Sequence, residues 1–336
     1  ISQTTNQVNS GDSDSIPESS SSAMPMTTMV KANEQLISIN TDVLVVKIAT
    51  RGGDIVEAKL KNFDTEQGNG IPFTVMQNGN RKYVAQSGLI GAQGLDQIIP
   101  GRPIYQTSSN SYTQTGDEPL VVDLQYTSEN GLNVIKRFTF TKSDYSVNVE
   151  YIINNTATSA ASVQMYAQLK QSTLVESGSA LMPTYRGAAY STSEDRYEKY
   201  DFDDIQKTKL DIATAGGWVA MLEHYFVSAW VPNQTADNQI YTLYSKNNEA
   251  VIGLKSPALT IQPNSQATTT AIFYVGPKDQ YVLDEIAPFI GLTIDYGFLS
   301  MISKPLFWLL LQIQSIVINW GFAIIVITLV VKGAMY

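Results

Sequence analysis

The sequence contains no cysteine, a single histidine and few charged residues, and each shortage excludes a class of protein. Without cysteine it has no disulfides and no thiolate metal sites, and one histidine cannot build an imidazole metal centre. Charged residues make up only 16% of the 336 residues, against roughly 25% in typical soluble domains. Lys and Arg total 22 against 31 Asp and Glu, a net charge of −9. This balance argues against nucleic-acid binding, because phosphate contacts need clustered cations.

The residues that catalysis would need are also missing. His224 stands beside Glu223 and Tyr225 after a predicted strand, which is typical of an ordinary exposed or hydrogen-bonded histidine. The spacing of a run of acidic residues does not fit a calcium loop, so we interpret the run as solvated. That run comprises Glu194, Asp195, Glu198, Asp201, Asp203 and Asp204. We therefore predict no catalytic residue, no metal and no cofactor.

The first 34 residues read as a disordered tether. They mix Ser, Thr, Asn, Asp and Pro with almost no apolar periodicity, so they cannot bury enough surface to offset their ordering entropy. They lack the charged, apolar and small-residue order of a signal peptide, which is compatible with a membrane segment before Ile1.

Residues 35–278 carry a strand pattern. Leu44, Val46 and Ile48 alternate, and Asn130-Gly131 suits a tight turn between strands predicted at 120–126 and 132–140. Further strands are predicted at 145–153, 162–169, 218–222, 226–231, 240–244, 250–254 and 268–275. Many short strands with turns between them and hardly a helix predict a mainly β fold, a large antiparallel sandwich. Residues 279–301 follow as a helical connector, with Tyr281, Val282, Ile286 and Phe289 spaced for one helix face.

The C-terminal region has the composition of membrane-embedded helices. Residues 306–331 include no charged side chain, and a bilayer core needs about 20 apolar helical residues. Because Gln312, Gln314 and Asn319 are costly at membrane depth, we predict an interfacial amphipathic helix at 302–315. A transmembrane helix follows at 316–336, and its C-terminal end is truncated. Phe307, Trp308, Trp320 and Lys304 are predicted at the membrane interface. The alternative is a buried helix of a soluble core.

Lys332 allows two interpretations, which stand side by side. In the first, it marks the cytosolic end of the span, because Lys and Arg are enriched on the cytosolic side of membrane proteins. In the second, it lies within the bilayer. In the second case Thr328 and Lys332 share one helix face, with Gly321 near the same stripe. A polar stripe on an apolar helix implies a wet groove, because an ammonium facing lipid costs a few kcal/mol or more.

Several motifs in the same order resemble the YidC/Oxa/Alb family of membrane protein insertases. The likeness covers about Leu36 to Tyr336 and is carried by Thr50-Arg51-Gly52-Gly53-Asp54, Gly187-Ala188-Ala189-Tyr190-Ser191, Gly216-Gly217-Trp218-Val219, Tyr274-Val275-Gly276-Pro277, Leu292-Thr293-Ile294-Asp295-Tyr296-Gly297 and Asn319-Trp320-Gly321-Phe322. The resemblance implies a periplasmic galactose-mutarotase-like β-supersandwich, then an interfacial helix and the second transmembrane helix. Residues 1–301 would lie in the periplasm, at the bacterial inner membrane.

By the same resemblance, Lys332 falls where the family most often has arginine, and Thr328 at a substrate-contacting position of a groove. The implied function is insertion and folding of membrane proteins, with nascent membrane proteins, Sec translocon components (SecYEG, SecD, SecF) and lipid as partners. Lysine keeps the charge but loses the bidentate fork of arginine. The family's later helices are absent, so this polypeptide alone is not expected to insert proteins. Two alternatives are a membrane-anchored periplasmic carbohydrate-binding sandwich and an adhesive ectodomain.

Overall fold

The computed structural model describes residues 16–18, 34–79, 81–174, 185–245, 247–294 and 300–335. The chain forms two compact units, Ile1–Gly291 and Leu292–Tyr336. The strands of the described residues all belong to the first unit, and the second unit is helical.

The larger sheet of the first unit has eleven strands among the described residues. They are β1 (Leu36–Asn40), β2 (Leu44–Ala49), β3 (Ile55–Asp64), β4 (Pro72–Gln77), β5 (Tyr83–Ile90), β6 (Ser111–Thr113), β10 (Ala161–Ser172), β13 (Asp211–Ala215), β16 (Asp237–Ser245), β17 (Glu249–Lys255) and β18 (Leu259–Ile261). The spatial order is β13-β16-β17-β10-β5-β4-β3-β2-β1-β6, with β18 beside β10. The described pairings are antiparallel except that of β1 with β6.

The second sheet has eight strands within the described ranges, and their pairings are antiparallel. They are β7 (Leu120–Thr127), β8 (Leu132–Phe140), β9 (Ser146–Asn155), β11 (Gly187–Ser191), β12 (Glu198–Tyr200), β14 (Trp218–Leu222), β15 (Phe226–Pro232) and β19 (Ser265–Pro277). The order is β12-β11-β14-β15-β19-β9-β8-β7.

Helices are short in the first unit and long in the second. Their bounds are α1 (Leu95–Ile98), α2 (Phe202–Lys207), α3 (Gln280–Ile286), a 3₁₀ turn (Ile290–Thr293), α4 (Ser300–Val317) and α5 (Trp320–Met335).

One hydrophobic core takes its side chains from both sheets. In β8, burial alternates along the strand, so one face points inward as a period of two requires. Trp230 on β15 packs against Phe273, with ring centroids 5.0 Å apart. Its indole Nε1 donates a hydrogen bond to the Gln168 carbonyl of β10 at 3.0 Å. This bond ties one sheet to the other through the core.

The predicted mainly β, antiparallel fold with terminal helices is confirmed. The hairpin around Asn130-Gly131 forms with Leu120 opposite Phe140, and Gly131 adopts φ +82°, which glycine tolerates best. Sequence patterns did not predict the eight-residue strand β5, nor the shorter strands β4, β6, β11, β12, β13 and β18.

The predicted apolar face of α3 is wrong in part. Tyr281 is 70% and Phe289 43% exposed, whereas Leu283, outside the predicted set, is fully buried. The Asp279 carboxylate accepts hydrogen bonds from the Tyr281 and Val282 N–H groups, which fixes the start of α3.

The predicted domain boundaries remain predictions. Three structural observations concern the same segments. Most of the tether, residues 1–15 and 19–33, lies outside the described residues, as do 295–299 of the connector. In the described part of the tether Pro17 is buried, and the Glu18 carbonyl accepts a hydrogen bond from Lys255 Nζ at 3.4 Å. The break between the terminal helices falls at Ile318-Asn319, a few residues after the predicted boundary at 315/316.

Candidate functional site

Helix α5 carries the predicted groove residues, and the two residues before it, Ile318 and Asn319, determine where it begins. Ile318 has φ +59°, a left-handed conformation that is unfavourable for a β-branched residue and that ends α4. The Asn319 side-chain oxygen then accepts hydrogen bonds from Gly321 N at 2.8 Å and Phe322 N at 3.3 Å. This is an N-cap, in which a side chain satisfies N–H groups that the helix leaves unpaired. The polar Asn319 therefore caps the start of α5.

Asn319→Ala should fray the first turn of α5. Loss of an N-cap costs about 1 kcal/mol, so amide exchange at Gly321 and Phe322 should accelerate about fivefold in lipid nanodiscs. Asn319→Asp restores an acceptor oxygen and should keep exchange slow. Equal exchange in the alanine and native chains would show that the cap does not hold the helix start.

Large apolar side chains are exposed around most of α5. Phe322 is 61%, Ile324 54%, Ile325 55%, Leu329 66% and Val330 48% exposed, and Ala323 is fully buried. Helices α4 and α5 pack on each other. Such broad apolar exposure on a helix is typical of a surface that faces protein or lipid. Across the described ranges, however, no helix has both the length and the apolarity needed to cross a membrane.

The polar positions of α5 fall in one stripe. Gly321, Thr328 and Lys332 lie within about 40° of the helix circumference at 3.6 residues per turn, and all three are exposed. The Thr328 hydroxyl donates a hydrogen bond to the Ile324 carbonyl at 2.7 Å, so the hydroxyl has an acceptor within its own helix. Lys332 is in the last turn. These three positions stay a predicted substrate groove.

The predicted interface residues lie on both helices of the second unit. On α4, Phe307 is 45% and Trp308 60% exposed, and Trp320, the first residue of α5, is 51% exposed. Lys304 belongs to α4, but its side chain lies outside the described part. Trp320 stands at a helix start, whereas Phe307 and Trp308 lie in the middle of α4; exposed Trp is typical of the headgroup region.

The first unit contains a buried charged cluster that the sequence patterns did not predict. Arg102 Nε donates to Asp96 Oδ1 at 2.6 Å, and its Nη1 pairs with Asp54. Arg102 Nη2 also donates to the Ser87 carbonyl at 3.1 Å. Burial alone lowers the pKa of Arg102, but the charges of Asp54, Tyr166 and Asp96 together outweigh it and raise the pKa above its ordinary value. The guanidinium therefore stays charged inside the core.

Lys136 completes the cluster from the other sheet. Its Nζ donates to the carbonyls of Gly52 at 2.9 Å and Ser87 at 3.0 Å, and it lies 5.3 Å from the ring centroid of Tyr151. A Cβ at Gly53 would collide with the lysine side chain, so this glycine leaves the room that Lys136 occupies. The cluster thus links the turn Arg51-Gly52-Gly53-Asp54 to β5 and β8. A sequence signal existed: Lys136 holds an inward position of β8 between Val134 and Phe138.

Lys136 should make stability depend on pH. Burial lowers its pKa from 10.5 to about 7, with Asp54 opposing the shift. Between these values the unfolded chain binds a proton that the folded chain does not, so the free energy of unfolding rises with pH. The Lys136 contribution should approach 1.4 kcal/mol per pH unit between about pH 7 and 9. Urea unfolding across this range should show the rise in the native chain and a flatter profile in Lys136→Met.

Lys142→Met provides the control, because Lys142 is an exposed lysine of the same unit paired with Asp117. It should keep the native pH slope. A native slope in Lys136→Met would mean that the buried lysine does not titrate in this window.

Other candidate chemistry in the first unit is sparse. His224 is exposed and stands edge-on to Tyr225, with ring centroids 4.0 Å apart. Among the described residues no three His, Cys, Asp or Glu side chains are grouped to hold a metal ion. A cleft of about 370 Å³ has Tyr185, Arg186, Phe202 and Tyr244 in its wall.

Comparison with known proteins gives a family match over most of the chain. Residues 36–309 match the family described as the YidC periplasmic domain. A relative from Pseudoalteromonas translucida, named membrane protein insertase YidC, is 47% identical over 335 residues, which cover 99% of this chain and 61% of the relative. One of the same name from Shewanella frigidimarina is 44% identical, covering 99% of this chain and 62% of the relative. The chain thus spans about three fifths of the length of these relatives.

Solved structures similar to the chain include a galactose mutarotase-like protein from Lactobacillus casei. It has a TM-score of 0.48 and 8% identity, and the match covers 72% of this chain and 100% of that protein. The Slr1438 protein from Synechocystis gives a TM-score of 0.45 and 10% identity, with 76% and 100% covered.

Proposed function

Because this chain belongs to the YidC family of membrane protein insertases, we propose that it supplies the periplasmic domain and one wall of an insertion groove. Within the full-length protein it assists the insertion and folding of inner-membrane proteins. The relatives carry the insertase name, so the carbohydrate-binding alternative is not favoured.

The observation that carries this proposal is the asymmetry of α5. Bulky apolar side chains are exposed around most of the helix, whereas Gly321, Thr328 and Lys332 share one stripe. A lysine on an apolar helix is tolerated where it meets water or an opposite charge. We place the apolar sides against lipid and against the substrate's own apolar helix, and the polar stripe in a hydrated groove.

The groove would lower the barrier that a substrate's polar tail meets. Moving an acidic residue to the bilayer centre costs roughly 2.5–3.5 kcal/mol on insertion scales, and Lys332 offsets part of this cost by attracting the carboxylate. The substrate's apolar helix then slides along α5 into lipid. Apolar burial drives this step, at about 0.8 kcal/mol per methylene. No nucleotide or metal takes part in the proposed mechanism.

The partners and location follow from the same proposal. Nascent membrane proteins are the substrates, and the β-sandwich serves as a docking surface for the Sec translocon components SecYEG, SecD and SecF. Residues 1–301 lie in the periplasm at the bacterial inner membrane, supported by the periplasmic-domain match over residues 36–309. Phe307, Trp308, Trp320 and Lys304 lie at the headgroup level.

Cysteine accessibility in the full-length protein tests this arrangement, because the chain has no native cysteine in its 336 residues. In membrane vesicles, cysteines at Gly321, Thr328 and Lys332 should react with a water-soluble maleimide. Cysteines at Val326 and Val330, on the opposite side of α5 at 3.6 residues per turn, should be protected until detergent is added. Uniform reactivity around the helix, or uniform protection, would contradict a groove.

A further inference from the structure

Two apolar residues interrupt a polar stretch near the beginning of the sequence. Between Asn9 and Ser22, Ile16 and Pro17 are the only residues with apolar side chains, among Ser, Asp, Glu, Asn and Gly. Pro17 is buried, and Glu18 beside it is exposed. A buried proline in so polar a stretch indicates that the tether is bound to the β-sandwich at this point. We call Ile16-Pro17-Glu18 the docking segment.

The docking segment meets the larger sheet at the end of β17. The Glu18 carbonyl accepts a hydrogen bond from Lys255 Nζ at 3.4 Å. Burial lowers the pKa of Lys255, and the charge of Asp211 opposes the shift, so the amine is partly shielded from water. The lysine thus presents a positive charge, which suits the acidic residue of the docking segment.

Lys255 lies on the face of the larger sheet that points away from the core. In the register of β16 and β17, Gln239 is opposite Lys255 and Tyr241 is opposite Gly253. Directly paired residues project on the same face of a sheet. The residues that follow Gln239 and precede Lys255 belong to the hydrophobic core, so these four project to the other side. We call Gln239, Tyr241 and Lys255 the receiving face.

The receiving face has a fixed shape. Tyr241 is only 5% exposed, although it lies on the side away from the core, and its hydroxyl donates to Gln168 Oε1 at 2.7 Å. A Cβ at Gly253 would lie 2.6 Å from the Tyr241 ring, so this glycine leaves the space that the ring occupies. Lys255 Nζ lies 5.7 Å from the ring centroid. The aromatic ring and the amine are therefore held side by side.

We propose that the receiving face is a binding site for an extended peptide with the sequence Ile-Pro-acid, and that the docking segment is its intramolecular occupant. Proline fixes its own φ and biases the preceding residue towards an extended backbone, so the segment loses little conformational freedom when it binds. The consequence is a tether held on the sandwich at two points, the docking segment and β1. This proposal does not depend on the groove of α5.

Double electron–electron resonance on the full-length protein in lipid nanodiscs tests the docking, with spin labels at Glu18→Cys and Val121→Cys. Val121 is 46% exposed on β7, and Glu18 meets Lys255 through its backbone carbonyl, which a label on the side chain preserves. The native background should give one narrow distance distribution. Pro17→Ser changes no residue of the sandwich and should broaden the distribution to a width on the order of 20 Å, as in a flexible chain of this length.

Substitutions on the receiving face provide the matched controls. Lys255→Met should broaden the distribution as Pro17→Ser does, and Lys255→Arg should keep it narrow because a donor remains. Lys47→Met removes a lysine from β2 of the same sheet, where it pairs with Glu57, and should leave the distribution unchanged.

A free peptide of residues 12–22 tests recognition of the sequence itself. At about 10 mM, above the millimolar effective concentration of a tethered segment, it should displace the labelled segment and broaden the distribution. The same peptide with Ile-Pro replaced by Ser-Ser should not.

Three results would overturn the proposal. A broad distribution in the native background would mean that the segment does not dock. A narrow distribution that Pro17→Ser and Lys255→Met leave unchanged, or that Lys47→Met broadens equally, would exclude the receiving face as the site. If the two peptides act alike, the face does not recognise the Ile-Pro sequence.

Discussion

Lys332→Ala should impair membrane protein insertion about tenfold in the full-length protein, whereas Lys332→Arg should retain it. If the ammonium offsets about half of the cost of bringing an acidic residue into the bilayer, its loss raises the barrier by about 1.4 kcal/mol, or about tenfold in rate. Arginine keeps the charge. The measurement is the insertion rate of a single-span substrate with an acidic tail, in cells depleted of the native protein.

The control for this substitution is Leu329→Ala, three residues away on α5. It shortens a side chain that is 66% exposed without changing charge, so insertion should fall far less than in Lys332→Ala. A substrate whose tail has no acidic residue should be insensitive to Lys332→Ala. Equal activity of the native, alanine and arginine chains would reject a groove role for this residue.

Arg102→Met should destabilise the β-sandwich by about 3–5 kcal/mol, because it leaves two buried carboxylates without their cation. The side chain of Asp96 is fully buried and that of Asp54 only 8% exposed. A typical domain has about 5–15 kcal/mol of stability, so this is a large share. Urea unfolding followed by the fluorescence of the buried Trp218 and Trp230 would measure the loss.

Two variants separate burial from charge in this prediction. Arg137→Met breaks the ion pair with Asp123, in which the Arg137 side chain is 35% and the Asp123 side chain 28% exposed. Because this pair is partly solvated, its loss should lower the free energy of unfolding by no more than about 1 kcal/mol. Arg102→Met combined with Asp54→Asn and Asp96→Asn removes the uncompensated charges and should recover much of the loss. If Arg102→Met and Arg137→Met were equally mild, the cluster would not hold the sandwich together.

The sequence predicted the fold class because alternation and turn chemistry are local properties. The β7–β8 hairpin shows this: Asn130-Gly131 specifies the turn, and the alternating residues of β8 specify its inward face. Strands such as β13 were missed because they are short and lack such a pattern.

The buried cluster was beyond local patterns, because Asp54, Asp96, Arg102 and Lys136 come together only through sheet packing. Arg51-Gly52-Gly53-Asp54 appeared in the sequence as a turn, yet its aspartate points into the core. Tyr281 was predicted on the apolar face of α3 but is exposed. The prediction was wrong because residue spacing alone cannot show which side of a short helix packs against the sheet. On α5, helical periodicity was enough to place Gly321, Thr328 and Lys332 in one stripe.

Reversing the charge at position 332 and in the substrate tail tests most directly whether Lys332 attracts acidic residues of the substrate within the membrane. Lys332→Glu should block insertion of a substrate with an acidic tail and restore insertion when the tail residues are changed to lysine. Native Lys332 should show the reverse preference. If Lys332→Glu impaired both substrates alike, or neither, the lysine would not contact the substrate's charge and the proposed mechanism would be wrong.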